Sequence, residues 1–225
     1  MQAQFQQLFG EYDYYYYNFE TLRSFIFQNY PHQVLAAYDS LKPYAYKSDL
    51  GRYCLLYKYG GWYADISLKP LLRCGVTENT QLIYFYDHGQ GPCEASHACQ
   101  NGFFYVRSGH ALMKDCISQI LENCENDYYG YGPLTPTGPE KFGEKLAKYV
   151  PSLGVHKGYF MQLTPFHRLK NRAYVGPNGE IMALHRTAWW SQSEQGSLKE
   201  FGAIGTNSYL EMWSNKDVYL DHKTQ

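Results

Sequence analysis

Residues Lys47 to Leu68 read KSDLGRYCLLYKYGGWYADISL, and this stretch decides the fold class. Leu55, Leu56 and Tyr59 continue an apolar stripe at helical spacing, and Gly60-Gly61 supplies the left-handed stop that helices favour. Asp49 and Arg52 stand three apart, so on a helix they share one face. A short strand is expected next, ending in Asp65-Ile66-Ser67. In it Trp62, Ala64 and Ile66 point one way and Tyr63, Asp65 and Ser67 the other. An acid, an arginine and a second carboxylate are thereby delivered to the carboxyl end of a strand, where open α/β folds place their ligands.

Upstream, Asn18 reads as an N-cap, Thr21 to Ile26 as helix body and Tyr30-Pro31 as its stop. A second helix is expected over Gln33 to Leu41, before Pro43. Downstream, Gln81 to Tyr86 and Gly102 to Val106 are β-prone runs separated by a polar loop. Ala111 to Asn123 is an amphipathic helix, Phe142 to Tyr149 a further helix, and Tyr159 to Leu163 a strand. Asn178-Gly179 marks a hairpin turn between Arg172–Val175 and Ile181–Leu184. Helices alternate with strands early and strands dominate late, with no repeat or long linker. One α/β domain over 1–225 with a mixed sheet is the economical expectation.

The chain has 225 residues, enough to bury a substantial core. Its net charge of −1 gives no global argument for nucleic acid or membrane attraction. Aromatics at 18%, with 24 tyrosines, are the outlier; most pack half-buried, and some offer flat faces suited to a base or a sugar ring. No apolar run reaches the length of about 18 residues that a spanning helix needs. Met1 to Gln4 open no basic-then-apolar leader, so no secretory signal is expected. The six cysteines read as reduced thiols of a cytoplasmic protein. Cys93, His97 and Cys99 invite a zinc reading, yet no second pair completes four ligands, and no structural zinc is expected.

The same residues resemble a family. SDLGRYCLLYKYGGWYADIS is similar to the DXD-containing sugar transferases, which include initiating mannosyltransferases of the fungal Golgi, bacterial capsule transferases and the glucosylating domain of large clostridial toxins. The shared pattern S/A-D-x-x-R-Y-x-x-L-Y-x-x-G-G-x-Y-x-D-x-D is met at Ser48, Asp49, Arg52, Tyr53, Leu56, Tyr57, Gly60, Gly61, Tyr63 and Asp65. It departs at the last position, where Ser67 replaces the second aspartate. Asn101 to His110, Thr135 to Pro139 and the His185-to-Trp189-Trp190 element extend the resemblance, which runs from about Tyr14 to Trp190. Family members begin with a strand of the type I-P-K-x-I-H-x-x-W that forms part of the nucleotide pocket. No such strand is legible in Met1 to Phe9.

The resemblance implies a GT-A-like (Rossmann-like) fold and transfer of a hexose from a UDP- or GDP-linked sugar to a glycan or glycolipid acceptor, with retention of configuration. It implies Asp65 as ligand of Mn2+ or Mg2+ and as ribose contact, with His185 as a second ligand or diphosphate contact. Asp49 and Arg52 would hold ribose and sugar, Tyr63 would orient the sugar, and Ser67 would offer a neutral hydroxyl. Thr137 and Gly138 would present a backbone N–H, and Trp189 or Trp190 would cover the diphosphate or stack on a ring. Asn101 is a weaker donor contact. Retention needs no dedicated base; inversion would need a carboxylate near the acceptor, with Asp87 or Glu94 the first choices. Two other classes remain open: a non-catalytic nucleotide- or sugar-binding relic, and a metal-binding interaction module around Cys93, His97 and Cys99.

Overall fold

The computed structural model describes residues 2–10, 12–72, 75–87, 99–163, 172–189 and 207–220. Helix α1 (Gln2–Leu8) comes first, followed by α2 (Phe19–Asn29), α3 (His32–Ser40) and α4 (Tyr44–Tyr59). Strand β1 (Gly61–Ala64), the two-residue β2 (Lys69–Pro70), β3 (Leu82–Asp87) and β4 (Cys99–Val106) come next. Then follow α5 (Ala111–Glu125), α6 (Pro139–Leu146), β5 (Val155–Gln162), the hairpin β6 (Arg172–Val175) and β7 (Ile181–Leu184), α7 (Arg186–Trp189) and α8 (Tyr209–Ser214).

Local chemistry explains the boundaries. Asn18 and Thr21 cap α2 reciprocally: the Thr21 N–H donates to Asn18 Oδ1 and the Asn18 N–H to Thr21 Oγ1, both at 2.9 Å. Helix α4 ends at Gly60 with φ 66°, and the Gly60 N–H closes on the Leu56 carbonyl at 2.9 Å. A Cβ at Gly60 would sit 2.4 Å from the Ser108 nitrogen, so the helix end is pressed against the turn that follows β4. His110 caps α5, its Nδ1 accepting from the Leu112 N–H at 3.1 Å. Helix α6 starts at Pro139, earlier than the apolar pattern implies, because an extended Gly138 and a proline at the first helical position set the start. It is over by Leu146, where the chain tightens and the Tyr149 N–H reaches back only to the Leu146 carbonyl.

The seven strands form one mixed sheet in the order β1-β4-β3-β5-β6-β7-β2. Only β3 and β5 run parallel; every other neighbour is antiparallel. The sheet's edges are β1 and β2, separated in the chain only by Asp65, Ile66, Ser67 and Leu68. Laid flat, seven strands would put their edges about 29 Å apart at ~4.8 Å per strand. The step from Ala64 to Lys69 spans at most about 17 Å fully extended. It is not extended, because the Leu68 N–H returns to the Asp65 carbonyl at 3.0 Å. The sheet therefore curls. The expected strand through Ser67 is corrected accordingly: β1 stops at Ala64, and residues 65–68 turn to carry the chain across to the other edge.

Alternate residues sort onto two faces. Leu82, Tyr84, Phe104 and Val106 pack with α2 to α6, together with Leu50, Tyr53, Phe142 and Ile120. Ile83, Phe85, Phe103, Phe160, Tyr174 and Met182 fill the hollow of the curl, joined by Leu68 and by Phe5 of α1. Strand β4 is bulged where it matters. Ile83 pairs with Tyr105, but Phe85 pairs with Gln100, leaving extra residues of β4 in between, among them Asn101 and Gly102. Cys54, Cys116 and Cys124 are buried free thiols, and Cys99 is buried. Cys93, His97, Glu94 and Trp190 lie outside the described residues. Among the described residues, no helix is long and apolar enough to cross a membrane.

Candidate functional site

The α4 face that carries Asp49 and Arg52 is turned against the bulge of β4. Arg52 is 5% exposed, so its charge must be met locally. Nη1 donates to the Asn101 carbonyl at 2.6 Å, Nε to the Ser48 carbonyl at 3.2 Å, and Nη2 lies 3.2 Å from Asp49 Oδ1. The Tyr63 ring covers the guanidinium, with Cζ 4.6 Å from its centroid. Burial works against the Arg52 charge, but Tyr63, Asp65 and Asp49 outweigh it and the pKa is raised.

Asp49 is 6% exposed and saturated. Oδ1 accepts from Asn101 Nδ2 at 2.8 Å and Oδ2 from Thr137 Oγ1 at 2.7 Å. Burial raises its pKa, with Arg52, Thr137 and Asn101 opposing. That set of donors beside a guanidinium is what an ionised carboxylate requires, and we take Asp49 as charged. Asn101 also donates to the Tyr53 hydroxyl at 3.0 Å. Gly138 stands beside this cluster, where a Cβ would be 3.1 Å from the Leu134 carbonyl and 3.5 Å from Asp49 Oδ2.

Asp65 stands where this buried network reaches solvent. Its side chain is 42% exposed, and Oδ1 accepts from the Tyr63 hydroxyl at 2.9 Å and lies 3.5 Å from Arg52 Nη1. Its backbone N–H donates to the Gly102 carbonyl at 2.8 Å, extending the β1–β4 ladder by one residue. Ser67 follows in the same turn, half-buried. His185 comes from the opposite edge. Burial, then Arg186 and Arg172, push its pKa down to about 4, with Asp65 opposing, so the imidazole is neutral at pH 7.

Asp49, Arg52, Tyr63, Asp65, Asn101 and Thr137 thus form one connected cluster, with Gly138 at its side and His185 near enough for the Asp65 charge to oppose the fall in its pKa. Trp189 ends α7, next along the chain from this edge. Asp87, the other carboxylate considered from the sequence, is buried at the end of β3 and accepts from Gln100 Nε2 at 2.6 Å.

Several members carried no signal in the motif. Gly102 leaves the space that Asp65 occupies, since a Cβ there would lie 2.6 Å from Asp65 Oδ2. A glycine inside a β-prone run is the one legible hint of such a close approach. Tyr174 and Gln100 join the cluster from the hollow, the Tyr174 hydroxyl donating to Gln100 Oε1 at 3.3 Å. Tyr209 of α8 comes from the segment that matches no pattern. Burial raises its pKa and Asp49 adds to the effect, which places it near the same cluster.

Among the described residues, no group of three or more His, Cys, Asp or Glu is placed to hold a metal. Mg2+ and Mn2+ do not require a protein-only cage: one or two protein ligands suffice when phosphate oxygens and water complete the shell. The residues whose chemistry would suit such a role are the Asp65 carboxylate, the Ser67 hydroxyl and the neutral His185 ring.

An inositol phosphoceramide mannosyltransferase of Schizosaccharomyces pombe is 39% identical over 72 residues, which cover 29% of this chain and 20% of that protein. The chain thus spans about a fifth of the curated relative it matches. Among solved structures, a chain described as PaToxG glycosyltransferase superposes with a TM-score of 0.38 and 21% identity, covering 48% of this chain and 37% of that one. Residues 4–81 match the family profile described as glycosyltransferase sugar-binding region containing DXD motif. The unit of α4, the Gly60-Gly61 stop and β1 that carries Asp49, Arg52 and Asp65 lies inside the segment that is similar to this sugar-binding region.

Proposed function

We propose that the chain is a glycosyltransferase that moves a hexose from a UDP- or GDP-linked donor to a glycan or glycolipid acceptor, with retention of configuration. One observation carries the reading. A buried guanidinium, clamped by Asp49 and the Asn101 carbonyl, abuts a carboxylate whose side chain is 42% exposed. Fixed charge of this kind is what stabilises a leaving group without reorganisation.

In the proposed reaction the bond between the sugar's anomeric carbon and the diphosphate oxygen breaks, and its electron pair stays on that oxygen. The acceptor hydroxyl forms the new bond to the same carbon from the same face, and its proton passes to the departing oxygen. Arg52 meets the developing charge and orients the sugar, while Asp65 orients the ribose and contributes to the cation site with Ser67 and His185. A bound Mn2+ or Mg2+ would neutralise part of the diphosphate charge. Asp49, Asn101 and Thr137 act at one remove, by holding Arg52 in place. Buried free thiols support a cytoplasmic setting.

A second reading, nucleotide or sugar binding without turnover, is favoured by Ser67, whose neutral hydroxyl holds a cation far less strongly than a carboxylate. Calorimetric titration with UDP and GDP, with and without Mn2+, combined with turnover of the matching sugar donor, separates the two. Binding of one nucleotide with turnover is expected, and Asp65→Ala should abolish turnover while leaving the melting temperature unchanged. Binding without any turnover would establish the second reading. Unchanged turnover in Asp65→Ala would remove the assigned site.

A further inference from the structure

Residues 207–220 lie outside the segment that is similar to the sugar-binding region, yet they are fastened to the start of the same helix α4. Asn207 Oδ1 accepts from the Tyr44 N–H at 2.7 Å, which ties the chain to the first residue of that helix. Ser208 caps α8, its Oγ accepting from the Glu211 N–H at 3.4 Å. Further on, Trp213 Nε1 donates to the Tyr129 carbonyl at 2.7 Å, and the Lys42 N–H donates to the Val218 carbonyl at 2.8 Å. Helix α8 is thus held on both sides of Tyr209, and the place of that residue does not depend on a bond from its own hydroxyl.

Tyr209 is half-buried, and its ring centroid lies 6.2 Å from that of Tyr46. Tyr46, Asp49 and Arg52 follow one another at intervals of three along α4, so Tyr209 packs on the flank of the helix that carries the cluster. Two charges register its position. Burial raises its pKa, Asp49 adds to the rise and Arg186 of α7 opposes it. The tyrosines around it have engaged hydroxyls. Tyr46 donates to the Pro133 carbonyl at 2.6 Å, Tyr63 donates to Asp65 at 2.9 Å, and Tyr53 accepts from Asn101 at 3.0 Å. Tyr209 differs: among the described residues, nothing hydrogen-bonds its hydroxyl. Asp49 is in the opposite condition. It is buried, with one oxygen taken by Asn101 and Arg52 and the other by Thr137. The cluster therefore holds a carboxylate already spent on its own scaffold, and beside it a hydroxyl left for a ligand.

We propose that the Tyr209 hydroxyl hydrogen-bonds a ring hydroxyl of the transferred hexose and so selects among hexose epimers. This rests on the glycosyltransferase reading above. The charge that Arg52 meets is common to every sugar diphosphate and does not distinguish one hexose from another. A phenol fixed in position does, because its bond forms only with a sugar hydroxyl of the right configuration. Selectivity then comes from α8, outside the segment similar to the sugar-binding region, and the charge machinery from within it.

The test is nucleotide release by the intact chain from UDP-glucose, UDP-galactose, GDP-mannose and GDP-glucose, in wild type and in Tyr209→Phe. The variant keeps the ring and its packing against Tyr46. It should lower kcat/KM for the preferred hexose about 3- to 10-fold, the range of one neutral hydrogen bond, and narrow the preference over the epimer by the same factor. Affinity for the free nucleotide and the melting temperature should not change. Tyr46→Phe is the structural control: it loses the bond to Pro133 and should lower the melting temperature with the epimer ratio unaltered. An epimer ratio that is the same in Tyr209→Phe and wild type overturns the role of Tyr209 and leaves the transferase reading standing. Release from none of the four donors by wild type overturns both.

Discussion

Replacing Gly102 by alanine tests whether Asp65 is the working carboxylate without touching Asp65 itself. The added Cβ would lie 2.6 Å from Asp65 Oδ2, while ordinary contact begins at 3.4 Å, so the oxygen must retreat by about 0.8 Å. The next neighbour, the Tyr174 hydroxyl oxygen, is already at 3.4 Å and need not move. Because the Asp65 side chain is partly exposed, it can swing into solvent and spare the backbone. The cost in stability then stays near about 1 kcal/mol, the low end of overpacking. What is lost is position: the 2.9 Å bond from Tyr63 and the 3.5 Å pairing with Arg52. A displacement of about 1 Å at a reacting group costs on the order of 100-fold in rate. Donor turnover should therefore drop about 100-fold, with the melting temperature lower by no more than about 4 °C. Turnover within about twofold of wild type, at an unchanged melting temperature, would refute the assignment of Asp65.

Other variants separate support from chemistry. Asp49→Ala leaves Arg52 buried without its closest countercharge and should cost about 3–5 kcal/mol in urea unfolding; a loss below about 1 kcal/mol would show that the cluster does not depend on it. His110 titrates in a useful range. Burial lowers its pKa from the ordinary 6.5, with Asp115 opposing, and the Tyr149 ring packs 5.2 Å away. The unfolded chain then binds the proton more tightly. The cap's contribution is complete above about pH 6.5 and declines as pH falls toward the depressed folded value. His110→Asn keeps a cap that does not titrate, so it should gain on wild type in melting temperature between pH 7.5 and 5. A difference that stays constant with pH would count against the His110 cap.

Much of the helical layer was legible because its signals are local. Asn18, Pro43 and Gly60 act within a few residues, and the hairpin strands Arg172–Val175 and Ile181–Leu184 fell where the Asn178-Gly179 turn put them. The cluster was half legible for the same reason. Asp49, Arg52, Tyr63 and Asp65 sit in one motif at fixed spacing. By contrast, Gly102 and Tyr174 acquire meaning only through pairing between distant strands and through the bulge in β4, which no local pattern announces. The end of β1 at Ala64 was misjudged on similar grounds. Alternation favours continuing the strand through Ser67, but the need to reach the opposite edge of the sheet prevails.

The closing strand is very short. Lys69 and Pro70 are all of β2, and beyond them the curl is held mainly by the Leu71 and Leu72 N–H groups on the Met182 carbonyl, at 2.9 and 3.1 Å. Few bonds must break for this seam to part, and such segments open far below the free energy of global unfolding. Parting it would carry Asp65 away from His185 while the helical layer stays folded, so the two edges of the sheet are joined by a latch. Amide exchange at Leu71 and Leu72 should outpace that at Leu82, and equal protection would show the latch to be as firm as the core.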